Sequence, residues 1–138
     1  MKKIILYLNG SPNNGGSYQY WLAALKVLSE LDKKRYYVKL YSGYQNWCDN
    51  AKKFHVDSVL VKSSRNFFDI YMERAYRRFP NKLFRRFCIM LNDCYRKLEK
   101  EKADLFIAQV VDGGGDIVNI PAVVPIMDLM HRYDPGYE

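Results

Sequence analysis

The chain opens with an apolar run, Lys3 to Leu8 (KIILYL), that stops at a cluster of Asn, Gly, Ser and Pro. A short continuous apolar run bounded by turn formers predicts a strand buried on both faces. Ser17 then offers a helix N-cap. Behind it Tyr18, Trp21, Leu22, Leu25, Leu28 and Leu31 recur at helical spacing, which predicts one apolar helix face ending near Asp32-Lys33-Lys34. Tyr36 to Tyr41 (YYVKLY), aromatic and β-branched, predicts a second strand. Strand, Gly-rich turn, helix and strand in this order make a βαβ unit, whose strands should be parallel and whose crossover should be right-handed.

Further strands are expected at Asp57 to Lys62 (DSVLVK), Asp104 to Val111 (DLFIAQVV) and Ala122 to Ile126 (AVVPI). Between the first two lie helical stretches from Asn66 to Phe79 and, after Pro80, from Leu83 to Glu101. The second carries Phe84, Phe87, Cys88, Leu91, Cys94, Tyr95 and Leu98 as one continuous stripe that predicts burial along its whole length. There is no internal repeat and no linker. The expected architecture is a single Rossmann-like α/β domain over residues 1–138, an open, mainly parallel sheet with helices on both faces.

Composition narrows the class. With 138 residues, 49% hydrophobic and 15% aromatic, the chain is too apolar for disorder, and 8 Gly and 5 Pro are too few for a low-complexity polymer. No apolar stretch approaches the ~20 residues of a membrane-spanning helix, and the N-terminal apolar run is too short for a secretory signal. Cys48, Cys88 and Cys94 form no CxxC pair, and an odd number of cysteines predicts reduced thiols in a cytoplasm and no structural zinc. A cytoplasmic protein with no metal and no cofactor is the expectation.

In an open parallel sheet, ligands bind beyond the carboxyl ends of the strands, where strand order reverses. Three polar loops fall at such ends: Asn9 to Ser17, Asp112 to Asp116, and Met127 to Tyr133. The first, NGSPNNGGS, leads into a helix N-terminus, where backbone amides and the helix dipole favour an anion or a hydroxyl-rich ligand. A bare strand-to-helix turn would use the same glycines. The loop falls one residue short of a P-loop, because Gly16 stands where that motif needs a lysine to contact phosphates. ATP or GTP hydrolysis is therefore not expected. In the last loop Asp128, His131 and Arg132 bring a carboxylate, an imidazole and a guanidinium within five residues, a set suited to taking a proton from a hydroxyl and holding a charged substrate. The same residues would also serve as a turn cap and a solvated face. His55 has no ligand partner at metal spacing and reads as structural.

The net charge of +7 is unevenly placed. From Arg74 to Arg86 (RAYRRFPNKLFRR) the chain is basic without an acidic residue, and it carries Tyr76, Phe79, Leu83 and Phe84. A basic, aromatic-bearing amphipathic segment suits an anionic membrane surface, to which each Lys or Arg adds about 1 kcal/mol. Arg74, Arg77, Arg78, Phe79, Lys82, Arg85 and Arg86 are the expected membrane-facing residues. A solvated face of two helices is the plain alternative, and without any RNA- or DNA-binding signature nucleic acid is not an expected partner.

Taken together, KIILYLNG followed by NNGGSYQY, and the closing IPAVVPIMDLMHRYDP, resemble the amino-terminal half of GT-B glycosyltransferases of the family 4 type. Gly15, Gly16 and Ser17 match that family's first element, and Asp128, Leu129, His131, Tyr133 and Pro135 match its second. The family's histidine before the aspartate is Met127 here, and a thioether neither donates a hydrogen bond nor carries a proton. The resemblance implies an acceptor-binding half of an enzyme that moves a sugar from a nucleotide diphosphate sugar to a cell-envelope or lipid-linked saccharide on the inner face of a membrane. It further implies Asp128 and His131 as catalytic residues, with Gly15, Gly16, Ser17, Met127 and Arg132 contacting substrate. Its partner would be a C-terminal nucleotide-sugar domain, in the same chain or as a separate subunit. The isolated chain would then be inactive. The other expectation is a non-catalytic Rossmann- or flavodoxin-like module that recruits a partner or a membrane.

Overall fold

A computed structural model describes residues 1–11, 15–61, 67–109 and 115–124. Their elements run β1 (Lys2–Tyr7), α1 (Gly15–Ser29), β2 (Tyr36–Ser42), α2 (Gln45–Lys53), β3 (Asp57–Leu60), α3 (Phe67–Arg78), α4 (Lys82–Leu91), α5 (Asp93–Glu101), β4 (Leu105–Ala108), α6 (Gly115–Val118) and β5 (Ala122–Val123). The five strands form one sheet in the order β3-β2-β1-β4-β5, and every pairing is parallel. This is the Rossmann-like α/β arrangement the βαβ pattern predicts. The chain works outward from β1 through β2 to β3, then returns to β1's other side for β4 and β5. Strand order thus reverses between β1 and β4.

Alternation along the strands explains why KIILYL reads as continuously apolar. Ile5 and Tyr7 face one layer with Tyr41, Phe106 and Ala108, and pack against Met72, Cys88, Tyr95, Leu98 and Ile117 from α3 to α6. Leu6 and Leu8 face the other with Leu40, and pack against Trp21 and Leu25 of α1 and Trp47 and Ala51 of α2. Both faces of β1 are therefore core.

Several boundaries differ from expectation. α1 begins at Gly15, so Ser17 is its third residue and not its cap. Glycines carry no side chain to oppose a helical start, and the helix begins before the first apolar position. It ends at Ser29, whose Oγ donates to the Lys26 carbonyl at 2.6 Å, leaving Leu31 to pack outside it. The stretch expected as one helix from Leu83 to Glu101 is two, divided at Asn92. The Asn92 side chain accepts from the amides of Cys94 (3.0 Å) and Tyr95 (3.3 Å), a local bond that asparagine makes more readily than a helical one. The stripe divides with it: Cys88, Cys94, Tyr95 and Leu98 are buried, whereas Phe87 and Leu91 are exposed. Asn92→Ala should cost about 1 kcal/mol, read as a fall of a few degrees in Tm, because α5 then starts with two unmet amides.

α2 and α6 are helices that apolar spacing does not announce. β4 stops at Ala108, and the rest of the run expected to reach Val111 comprises buried Gln109 and two positions outside the described residues. β5 is only two residues long and exposed.

Candidate functional site

The reversal of strand order puts the carboxyl ends of β1 and β4 side by side, and the residues just past them are tied down from both directions. On the β2 side, the Leu8 amide donates to the Tyr41 carbonyl at 3.0 Å, and the Asn9 Oδ1 accepts from the Gly43 amide at 3.1 Å. On the β4 side, the Gln109 amide donates to the Tyr7 carbonyl at 3.1 Å. The Gln109 side chain then reaches across, its Oε1 accepting from the Gly10 amide at 2.6 Å, while the Trp47 Nε1 donates to the Gly10 carbonyl at 3.0 Å. A Cβ on Gly10 would stand 2.3 Å from the Gln109 Nε2, so the carboxamide occupies the space a side chain would need.

From this clamp the chain enters α1. The first turn of α1 holds no acidic residue, so its positive end is not offset by its own side chains. Gly16 is exposed, with nothing within 4 Å of an added Cβ, and Ser17 is half-buried. The start of α1 is fixed against α2: Tyr18 donates to the Asn46 Oδ1 at 3.1 Å, Asn50 donates to the Tyr18 hydroxyl at 2.8 Å, and the Tyr18 and Trp47 rings lie 4.8 Å apart. Gly15, Gly16 and Ser17 thus lie at a helix N-terminus that follows the carboxyl end of β1. Met127, Asp128, His131 and Arg132, with the Asp112 to Gly114 part of the second loop, lie outside the described residues.

The basic segment spans the end of α3 and the start of α4. Arg74, Arg77, Arg78, Phe79, Lys82 and Arg86 are exposed, Phe79 at 61%, with the Arg78 guanidinium 5.9 Å from the Phe79 ring centre. Arg85 is different: half-buried, its Nε donates to the Ile117 carbonyl at 2.7 Å and its Nη2 to Glu99 at 3.1 Å. Its charge ties α4 to α5 and α6. Beside Leu83 of that segment (59%), α4 also exposes Phe87, which the helical stripe predicts to be buried, and Met90 (57%), which the sequence did not single out. With Arg86 and Arg96 they line an open groove of about 550 Å³. A signal existed, because α4 (KLFRRFCIML) holds more large apolar residues than one face of a ten-residue helix can bury.

Among the described residues, the most strongly shifted carboxylate lies elsewhere. Glu101 accepts from the Lys3 Nζ (2.5 Å), the Lys39 Nζ (2.6 Å) and the Tyr41 hydroxyl (2.6 Å). Burial alone would raise its pKa, but these three donors outweigh that and hold it at about 2. Tyr41 is pushed up by burial and by the same carboxylate, and Tyr37 rises to about 12, chiefly through its hydrogen bond to Asp57. This cluster pins α5 to β1 and β2. Among the described residues no group of three or more His, Cys, Asp and Glu could hold a metal, and no helix is long and apolar enough to cross a membrane. Compared with protein-family models and with curated proteins, the chain matches none.

Proposed function

We propose that this chain is the acceptor-binding half of a GT-B type glycosyltransferase, acting with a nucleotide-sugar domain on a saccharide or lipid-linked acceptor at an anionic membrane surface. The observation that carries the reading is the reversal of strand order between β1 and β4, beside which the NGSPNNGGS loop feeds the N-terminus of α1. Open α/β sheets bind ligands at that point, and the loop is one of the two segments that resemble the family. In this reading Gly15, Gly16 and Ser17 line the cleft floor, Asp128 and His131 orient or deprotonate the acceptor hydroxyl, and Arg132 balances charge. The exposed basic and apolar side chains of α3 and α4 supply the membrane contact.

The test is transfer of label from a panel of radiolabelled nucleotide diphosphate sugars into the lipid-linked saccharide fraction of membranes that contain the full gene product. Label should appear, and Asp128→Ala should reduce it tenfold or more, within the usual range for a lost general base. Met127, which stands where the family has histidine, favours the second reading, a non-catalytic membrane or partner module. Membrane binding that Asp128→Ala leaves unchanged, with no transfer from any sugar, would establish that module in place of the enzyme.

A further inference from the structure

α4 carries two apolar faces where a helix on a globular core needs one. Phe84 and Cys88 pack into the core, whereas Leu83, Phe87 and Met90 share the opposite side at helical spacing and are exposed. With Arg86 they form one wall of the groove of about 550 Å³, a size that holds a small ligand, and Arg96 of α5 stands in the other wall. The charges around it are unequally met. Arg96 is held by Asp93 at 3.0 Å, and Arg85 by Glu99 at 3.1 Å. Among the described residues, Arg86 has no carboxylate within ion-pair distance, and neither has Lys82 one turn before it. The first turn of α4 holds no acidic residue, so the positive end of the helix dipole adds to these two cations. Unmatched positive charge thus gathers at the amino-terminal half of α4, and exposed hydrocarbon continues to its carboxyl end.

We infer that this groove is a binding site for one anionic phospholipid, an acyl chain lying along Leu83, Phe87 and Met90 and the phosphate held by Arg86 and Lys82. An amphiphile carries its charge at one end, as the groove does. An acidic amphipathic helix would set carboxylates along the whole length and would meet, at the far end, only the Arg96 that Asp93 already holds. The surface leading into α4, with Phe79 beside the Arg78 guanidinium, is of the basic aromatic kind that lies among lipid headgroups. The site rests on the membrane reading of α3 and α4 and makes it specific, since a groove takes a single lipid where an adhesive face only touches many.

The test is NMR of the full chain carrying ¹³C-labelled methionine methyls, titrated with dihexanoyl phosphatidylglycerol and separately with dihexanoyl phosphatidylcholine, both as monomers below their micelle concentrations. The Met90 methyl, assigned by its loss in Met90→Leu, should shift saturably with the glycerol lipid. The choline lipid has no net charge and should bind about tenfold more weakly. Arg86→Gln should bring the two lipids close to the same affinity. Leu83→Gln combined with Phe87→Gln should weaken the glycerol lipid about tenfold while Tm moves by no more than about 2 °C, because both side chains already face water. An unmoved Met90 methyl, equal affinity for the two lipids in the wild type, or a response that the double variant retains would overturn the proposal. So would a Met90 shift that only an acidic amphipathic peptide produces. If the chain sediments with phosphatidylglycerol vesicles but Met90 ignores the monomers, the membrane reading stands and the groove site falls. If Met90 responds while the full gene product transfers no sugar, the transferase reading fails and the lipid site stands.

Discussion

Glu101→Ala is expected to cost about 3 kcal/mol in urea denaturation, several times the effect of an ordinary surface ion pair. Three donors converge on this carboxylate from two strands, and its side chain is only 14% exposed. Without it the Tyr41 hydroxyl is left buried with no acceptor, and the Lys3 and Lys39 ammoniums face each other with no anion between them. The pH dependence follows from the same contacts. A carboxyl held at about 2 in the folded chain, against an ordinary 4.5, contributes stability that is fully present above the unfolded value and lost as pH falls through the folded one. Acid unfolding between about pH 4.5 and 2 should therefore be less steep in Glu101→Gln than in the wild type. A loss below about 1 kcal/mol for Glu101→Ala would reduce the cluster to a solvated ion pair.

Gly10→Ala should cost about 2 kcal/mol although it adds one methyl group. The backbone at Gly10 does not demand glycine, since its φ lies outside the left-handed region; the demand comes from space. An alanine Cβ would meet the Gln109 Nε2 at 2.3 Å and its Cδ at 2.8 Å, so the carboxamide must leave and the Gly10 amide loses its acceptor. The clash and the hydrogen bond share one side chain, so the two residues should be strongly non-additive. In a Gln109→Ala background the same glycine substitution should be nearly silent, with a coupling of at least about 1 kcal/mol. Additive costs would place the origin of the glycine requirement elsewhere.

The sheet was legible in the sequence because a parallel strand buried on both faces leaves a run such as KIILYL or DLFIAQVV, whichever helix covers it. The helices were legible only where one apolar face is long. α2 escaped because its buried residues, Trp47, Cys48, Asn50 and Ala51, span barely more than one turn and include a polar one. The break at Asn92 escaped because Cys88, Leu91, Cys94 and Tyr95 keep helical spacing across it, and spacing alone does not register a side chain that caps the next helix. Of the candidate site, the glycine loop and its helix could be read from composition. Gln109 could not, because its significance comes from a glycine distant in sequence that only the β1–β4 pairing brings to it. Arg85 looked like its neighbours in the basic run, and only the packing of α4 on α6 separates it from them.

The central position of β1 has a kinetic consequence. It is made first, and its pairing with β2 across a single helix can form as soon as Ser42 is available. Its other edge waits for β4, since Ile4 pairs with Leu105 and Tyr7 with Ala108. At ribosomal rates of about 5–20 residues per second, that apolar edge stays open for several seconds after β2 has docked. During that interval it is a template for any other extended chain, so the nascent protein should be most vulnerable to aggregation when it is already half folded.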